Sequence, residues 1–330
     1  MIEKTIDIII PAWKAQKTLP RLLSSIASQT IVDLCKITIV NDCDNIGYDE
    51  IINLFKPLMD IIVLNLNKNG GPGVARQYGL DNTSLPYIVF ADADDSFYSS
   101  FALQTLYENI CKHPSTVAVL AEHLLEVPKP ELKFIHYKSN YVWVFGKIFR
   151  RSVLDKYNIR FNESRINEDV SFNILLKLCT KWNQEEKAIV LPNVVYVWHS
   201  NSNSITRSDP EFTLGDNIVG YMENITYTLK KAISMRLNNK HFIQKDIIAN
   251  MVRAYVYTEQ SLAKTDKFFP TNLKACKDYY VELYEILEQT LDSQFLYQEA
   301  VKEFESLKGT LTQFIPKHSF YEFIDLLKEN

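Results

Sequence analysis

An open α/β sheet carrying a helical C-terminal region is the architecture this 330-residue sequence predicts. Three observations predict it. Short β-branched runs alternate with helical patterns through the first third of the chain, these runs end in acidic or glycine-rich clusters, and the last third changes to long helical periodicity. Ligands of open α/β sheets bind outside the carboxyl ends of the strands, so the polar clusters are the first place to look for chemistry.

The elements follow in chain order. Ile6-Asp7-Ile8-Ile9-Ile10 is the β-branched run expected of a strand buried on both faces, and Pro11 is expected to stop it. Thr18 is placed to cap a helix with Pro20 in its first turn and Leu19, Leu22, Leu23 and Ile26 on one face. Residues 36–40 read as a second strand ending in Asn41-Asp42-Cys43-Asp44. Residues 61–66 read as a third, followed by the turn Asn69-Gly70-Gly71-Pro72-Gly73 and a helix from Val74. Residues 87–91 make a fourth, ending in Asp92-Ala93-Asp94-Asp95. Apolar stretches then recur at 117–121, 141–149 and 188–198, with a helix predicted over 168–180 and a Ser- and Asn-rich loop over 200–209. Beyond it, Ile243, Ile247, Met251, Tyr255 and Leu262 share one helix face, and Cys276, Tyr280, Leu283 and Leu287 another; core packing is the simplest reading of both. The expected division is a domain over 1–210 and a helical region over 211–330.

Composition narrows the function classes. Hydrophobic residues are 46% and charged residues 23%, which suits a globular protein, and a net charge of -4 leaves no global footprint for nucleic acid or anionic membrane. Five scattered cysteines without a C-x-x-C pair argue against a disulfide framework or structural zinc and fit a reducing compartment. The apolar run near the N-terminus is short and flanked by Glu3 and Asp7, unlike a signal peptide, and no stretch has the length to span a bilayer. The expectation is a cytoplasmic protein without an integral membrane segment.

The strongest chemical element is Asp92-Ala93-Asp94-Asp95. Residues two apart in an extended segment point the same way, so Asp92 and Asp94 would project together, as suits a hard divalent ion such as Mg2+ or Mn2+ holding a diphosphate. The pattern alone is weak: Asp42-Cys43-Asp44 repeats it, and acidic capping of a turn explains either. Asp42 is either a turn former or an acceptor for the imide N–H of a uracil. Arg76, near a helix N-terminus, is either solvated or a donor to a base carbonyl or diphosphate. The glycine turn lacks both the G-x-G-x-x-G fingerprint and the G-K-[ST] ending of a P-loop, so hydride transfer and P-loop chemistry have little support. Glu168 and Asp169 fall at a helix start, where the dipole is expected to keep a carboxylate ionised for work as a base; helix capping explains them equally well. His199 is either structural or a metal ligand beside Asp94, and Arg207 either closes a loop over the diphosphate or is a surface charge.

Together these pieces resemble glycosyltransferase family 2, an inverting family with the GT-A fold. Ile10-Pro11-Ala12 ends the first strand, and Ser25-Ile26-Ala27-Ser28-Gln29-Thr30 resembles "S-I-x-x-Q-T". Val40-Asn41-Asp42 stands for "V-D-D", and Asn69-Gly70-Gly71 with Ala75-Arg76-Gln77 stands for "N-x-G…A-R-N". Phe90-Ala91-Asp92-Ala93-Asp94-Asp95 resembles "F-L-D-x-D-D", Gly146-Lys147-Ile148-Phe149-Arg150-Arg151-Ser152 "G-K-L-F-R-R-S", Glu168-Asp169-Val170-Ser171-Phe172 "E-D-x-x-F", and Ser204-Ile205-Thr206 a late "S-I-T". The pieces run in family order over residues 5–208. Asn41 departs from the first acid of the "D-D" pair, and Cys43-Asp44-Asn45 from its usual "G-S-T".

The resemblance implies a GT-A mixed sheet flanked by helices and transfer of a hexose or pentose from a UDP-sugar to a hydroxyl. It implies that Pro11, Ala12, Asp42 and Arg76 line the uridine site, with Gly71 and Arg207 counted among the donor-binding residues. Asp92 would contact the ribose or the metal, Asp94 would be the main ligand of Mn2+ or Mg2+, and Asp169 would be the base, supported by Glu168. His199 is carried as a third metal ligand. The alternatives are an inactive nucleotide-sugar-binding protein of the same fold and a nucleotidyltransferase. The acceptor is open among polysaccharide, wall polymer, protein and a modified DNA base, and residues 211–330 are assigned to acceptor binding or homo-oligomerisation.

Overall fold

The computed structural model describes residues 3–164, 166–201, 210–264 and 270–310, together with Glu322 and Asp325. The chain divides into two compact units, Met1–Ser202 and Asn203–Asn330. The first unit is built on nine strands: β1 (Ile6–Ala12), β2 (Cys35–Asn41), β3 (Asp60–Asn65), β4 (Tyr87–Phe90), β5 (Ser96–Phe97), β6 (Thr116–Val127), β7 (Lys133–Tyr137), β8 (Lys147–Arg150) and β9 (Lys187–Trp198). Helices α1 (Leu19–Ala27), α2 (Asp49–Phe55), α3 (Pro72–Asp81), α4 (Ala102–Cys111), α5 (Arg151–Lys156) and α6 (Glu168–Trp182) intervene.

The sheet order is β3-β2-β1-β4-β8-β6-β9-β5, with β7 added to β6. The β3, β2, β1 and β4 strands are parallel, whereas β8 runs antiparallel to both β4 and β6. The sheet is therefore mixed, as expected. Burial explains the β-branched runs: Ile6, Ile8, Ile9 and Ile10 are all fully buried, each contributing about 1.5–3 kcal/mol relative to an exposed side chain. The expected apolar face of α1 (Leu19, Leu22, Leu23 and Ile26) is buried throughout.

Several local expectations are corrected. Pro11 does not end β1, which continues to Ala12 with Pro11 opposite Val40. The ladder to β4 ends at Ile9 opposite Phe90, so the position lacking an N–H lies beyond that neighbour. Thr18 precedes α1 without a side-chain cap, its hydroxyl donating instead to the Ala15 carbonyl at 3.3 Å. Of the apolar stretch 141–149, only the end enters a strand.

Two residues of the family-like motifs, Gln29 and Arg151, lock the frame. Gln29 donates to the carbonyls of Ser25 (2.9 Å) and Ser99 (2.7 Å) and accepts the Leu103 N–H (3.0 Å), pinning α1 to the segment after β5. Arg151 donates to buried Asp7 at 3.0 Å and to the carbonyls of Leu80 and Leu85, tying the start of β1 to the end of α3. Phe90, Phe149, Phe161 and Phe172 form an aromatic core, with Phe161 stacked on Phe172 at 4.4 Å.

The second unit consists of α7 (Pro210–Ser234), α8 (His241–Lys264), α9 (Pro270–Thr290) and α10 (Ser293–Thr310). Ile243, Ile247, Met251 and Tyr255 of α8 are buried, as are Cys276, Tyr280, Leu283 and Leu287 of α9, so these residues are core; the side chain of Leu262 lies outside the described ones. Tyr280 donates its hydroxyl to the Met251 carbonyl at 3.2 Å. Among the described residues, no helix is long and apolar enough to cross a membrane.

Candidate active site

The carboxyl end of β2 meets the glycine turn. The Asp42 N–H donates to the Ala12 carbonyl at 2.9 Å, extending the β1–β2 ladder by one residue. Its buried carboxylate accepts the N–H groups of Gly70 (2.7 Å) and Gly71 (2.8 Å), and Asn69 donates to its carbonyl. Gly71 sits at φ +85°, where a β-carbon would be strained, and immediately precedes α3. The structure thus brings Ala12, Asp42 and Gly71 together, with Pro11 beside them in β1. Each Asp42 oxygen keeps a second lone pair for another donor. Trp13, next along the chain, is 44% exposed.

The two D-x-D matches separate by partner. Asp44 accepts from Lys14 N (2.8 Å), Gln16 Nε2 (2.6 Å), Ile46 N (3.2 Å) and the Tyr48 hydroxyl (3.1 Å). Burial alone would raise its pKa, but these hydrogen bonds, led by Gln16, hold it below the ordinary carboxylate value. Asn41 accepts the Asp44 N–H at 2.7 Å and donates to Asn65 at 3.0 Å, so this segment is a loop scaffold.

Arg76 in α3 is buried between two carboxylates. Its Nη1 donates to Glu168 Oε1, and its Nη2 to Asp92 Oδ1 at 2.5 Å. Burial disfavours its charge, yet Asp92 and Glu168 outweigh that and raise its pKa further. A close approach makes this contact accessible: a β-carbon at Gly73 would lie 2.7 Å from the Asn162 carbonyl oxygen and 2.8 Å from Glu168 Cγ. Asp169, the next residue of α6, is partly exposed and accepts the Val170 N–H at 2.9 Å. The dipole at the start of α6 favours an ionised Asp169, and its surroundings oppose that. Burial first, and the charge of Glu168 second, push its pKa to about 7 against the opposing pull of Arg76.

The end of β4 supplies the remaining acids. The Asp92 N–H donates to the Tyr196 hydroxyl at 2.9 Å. Asp94 has a raised pKa from burial and from the charge of Asp92, accepts from Asn201 at 2.9 Å, and has its carbonyl held by Arg21. Asp95 is fully buried, accepts the His199 N–H at 2.9 Å on Oδ1, and carries Oδ2 without a hydrogen-bond partner. His199 reaches this acidic end, but both ring nitrogens are engaged: Nε2 with Ser96 Oγ at 2.8 Å and Nδ1 with Glu126 Oε2 at 2.7 Å. Arg207 lies outside the described residues. Sequence reading missed Glu126, Ser96 and Tyr196; the first two carry no local signal, and Tyr196 is hidden inside an apolar run.

The donor set fits a hard cation. Burial and the charge of Asp92 raise the pKa of Asp94, a repulsion that a cation would relieve, and Asp95 Oδ2 is an orphaned buried oxygen in the same turn. Among the described residues, no group of three His, Cys, Asp or Glu side chains is arranged to hold a metal. Two carboxylates completed by phosphate oxygens and water is the arrangement Mg2+ normally takes.

A parallel half-sheet extended by antiparallel strands, with an acidic turn after β4 and a second acidic pair opening α6, defines the GT-A class of α/β fold. Residues 7–164 match the model of "Glycosyl transferase family 2". The chain is 23% identical over 266 residues to the glycosyltransferase GlyA of Streptococcus pneumoniae, covering 71% of this chain and 37% of that protein. It spans less than two thirds of the length of the curated relatives it matches. Among solved structures it resembles S. aureus TarS 1–349 in complex with UDP, with TM-score 0.66 and 16% identity, covering 94% of this chain and 91% of that one. It also resembles a mannosyltransferase from Pyrobaculum calidifontis in complex with GDP-Man and Mn2+, with TM-score 0.50 and 14% identity, covering 92% and 87%. At these identities the structural likeness concerns the fold.

Proposed function

We propose that this chain transfers a sugar from a UDP-sugar to an acceptor hydroxyl with inversion at the anomeric carbon, Asp169 serving as base. The observation that carries the reading is the Arg76 bridge: one guanidinium joins Asp92, at the end of β4, to Glu168, the neighbour of Asp169. The acidic turn suited to a nucleoside diphosphate and the carboxylate suited to a base thereby share one cluster. The family match and the UDP bound to the TarS relative support the donor class.

In this reading Ala12, Pro11, Asp42 and the exposed ring of Trp13 receive the uridine, and the Gly70–Gly71 turn holds Asp42 in place. Asp169 takes the proton of the acceptor hydroxyl, whose oxygen bonds to the anomeric carbon. The bond from that carbon to the diphosphate breaks, and its electron pair leaves with UDP. A base with a pKa near the working pH is well matched to this transfer. A Mn2+ or Mg2+ ion held by Asp92 and Asp94, and by His199 if Ser96 releases it, would neutralise the charge developing on the diphosphate. The leaving group needs no acid, so one base suffices. The helices of residues 211–330 serve acceptor binding or self-association.

The engagement of both His199 nitrogens favours a second reading, a nucleotide-sugar-binding protein of this fold without transfer. A donor screen separates them: purified protein with Mn2+ and individual UDP-hexoses and UDP-pentoses, followed by mass detection of released UDP. The transferase reading expects slow UDP release from one donor, accelerated by its acceptor. Binding of the donor without any release supports the second reading.

A further inference from the structure

A cluster of aromatic rings is joined to Asp169 through Asn173, and one of these rings, Tyr196, bonds to the acidic turn. Trp143 packs against Trp198 at 5.6 Å and is stacked on Phe145 at 5.9 Å, and Phe145 is stacked on Tyr196 at 4.9 Å. His123 is stacked on Tyr137 at 5.3 Å and meets the edge of Trp143 at 5.0 Å. Trp143, Trp198 and Tyr137 remain partly exposed, while Phe145 and His123 are buried beneath them.

Two links fix this cluster to the chemistry. Buried Asn173 donates through one nitrogen to the Val142 carbonyl (3.1 Å) and the Asp169 carbonyl (2.8 Å), joining the segment carrying Trp143 to the turn carrying the base. Tyr196, at the other end of the stack, accepts the N–H of Asp92. Lys147, buried in β8, donates to the carbonyls of Trp143 and Phe145 and so holds both rings from behind. Rigid positioning by so many buried polar contacts is more than a hydrophobic core needs.

Charge bears on the ligand class. The basic groups packed against the rings are pushed toward their neutral forms by burial, Lys147 to about 7 and His123 to about 4. Glu122, next to His123 in β6, is an acid engaged by His136 at 2.5 Å, and Asp169 is joined to the segment carrying Trp143 through Asn173. Such a surface disfavours a polyanion. Aromatic faces are electron-rich and match the weakly positive C–H face of a sugar ring.

Resting on the transferase reading, we propose that Trp143 and Trp198 form the acceptor subsite, stacking the ring of an uncharged saccharide so that one hydroxyl reaches Asp169. The acceptor class is then a neutral glycan and not a polyol phosphate.

Isothermal titration of the full chain tests this. UDP with Mn2+ is titrated first; neutral trisaccharides of hexose and N-acetylhexosamine, and a ribitol-phosphate oligomer, are then titrated into the UDP-loaded protein. At least one neutral trisaccharide should bind more tightly than the ribitol-phosphate oligomer. Trp143→Ala and Trp198→Ala should weaken that binding about tenfold or more, and Trp143→Phe, which keeps a ring, should retain most of it. Tighter binding of the ribitol-phosphate oligomer, no binding of any neutral saccharide by UDP-loaded protein, or equal affinity in Trp143→Phe and both alanine variants overturns the subsite while leaving the transferase reading standing. Failure of the unaltered protein to bind UDP overturns both.

Discussion

Arg76 and Glu168, 92 residues apart in the chain, meet as a buried ion pair whose other arm reaches Asp92 at 2.5 Å. The pair places α3, which follows the glycine turn, against the first turn of α6, which carries Asp169. Arg76 therefore acts on the geometry of both acidic clusters from between them.

Removing the guanidinium should leave buried Glu168 and partly exposed Asp92 uncompensated. Arg76→Met is expected to destabilise the first unit by about 3–5 kcal/mol near pH 8, the usual loss when one partner of a buried pair is removed. Urea unfolding gives the number; a loss below about 1 kcal/mol would show that the pair contributes little.

Gly73 permits the close approach on which that pair depends. Gly73→Ala sets a β-carbon 2.7 Å from a backbone oxygen, so α3 must shift away from α6. The expected loss is about 1–3 kcal/mol, together with weaker donor binding. Unchanged unfolding midpoints and donor affinity would contradict this account of the contact.

The raised pKa of Asp169 sets opposite pH trends for activity and stability. In the proposed mechanism its ionised form is the base, so kcat/KM should rise with pH through a midpoint near 7. Its folded pKa stands above the ordinary 3.8, so the native state binds more protons between those values. This group's contribution to stability is complete below about pH 4 and is lost as pH rises through about 7. A pH–rate profile that is flat between pH 5 and 9 would remove Asp169 from the role.

His199 offers a test by competition. If it joins the metal site, it must release Ser96, whose hydroxyl lies 2.8 Å from Nε2. Ser96→Ala should then tighten Mn2+ binding slightly and His199→Gln should weaken it several-fold, by electron paramagnetic resonance titration. Equal Mn2+ affinity in all three proteins would assign His199 to its structural contacts with Ser96 and Glu126.

Much of the fold was legible because burial and periodicity are local signals. The β-branched run of β1 and the stripes of α1 and α8 could be read directly from spacing. The site was legible as acidic strand ends, but not as pairings. Nothing near Arg76 in sequence announces Glu168, and nothing near His199 announces Glu126, because each contact is made by the topology of the mixed sheet. The surroundings of Asp169 were hidden for a related reason: a helix start is visible in sequence, whereas its burial and the neighbouring Glu168 charge emerge from packing. Asp44 shows the converse, since only its four hydrogen-bond donors separate a loop scaffold from a ligand pair.

The central claim is that the turn after β4 receives a nucleoside diphosphate together with a divalent cation. Calorimetric titration of UDP with and without Mn2+, on the unaltered chain and on Asp94→Asn, tests it most directly. The account predicts that Mn2+ tightens UDP binding at least tenfold, about 1.4 kcal/mol, and that Asp94→Asn abolishes this gain. UDP binding that ignores Mn2+, or a gain undiminished in Asp94→Asn, would contradict it.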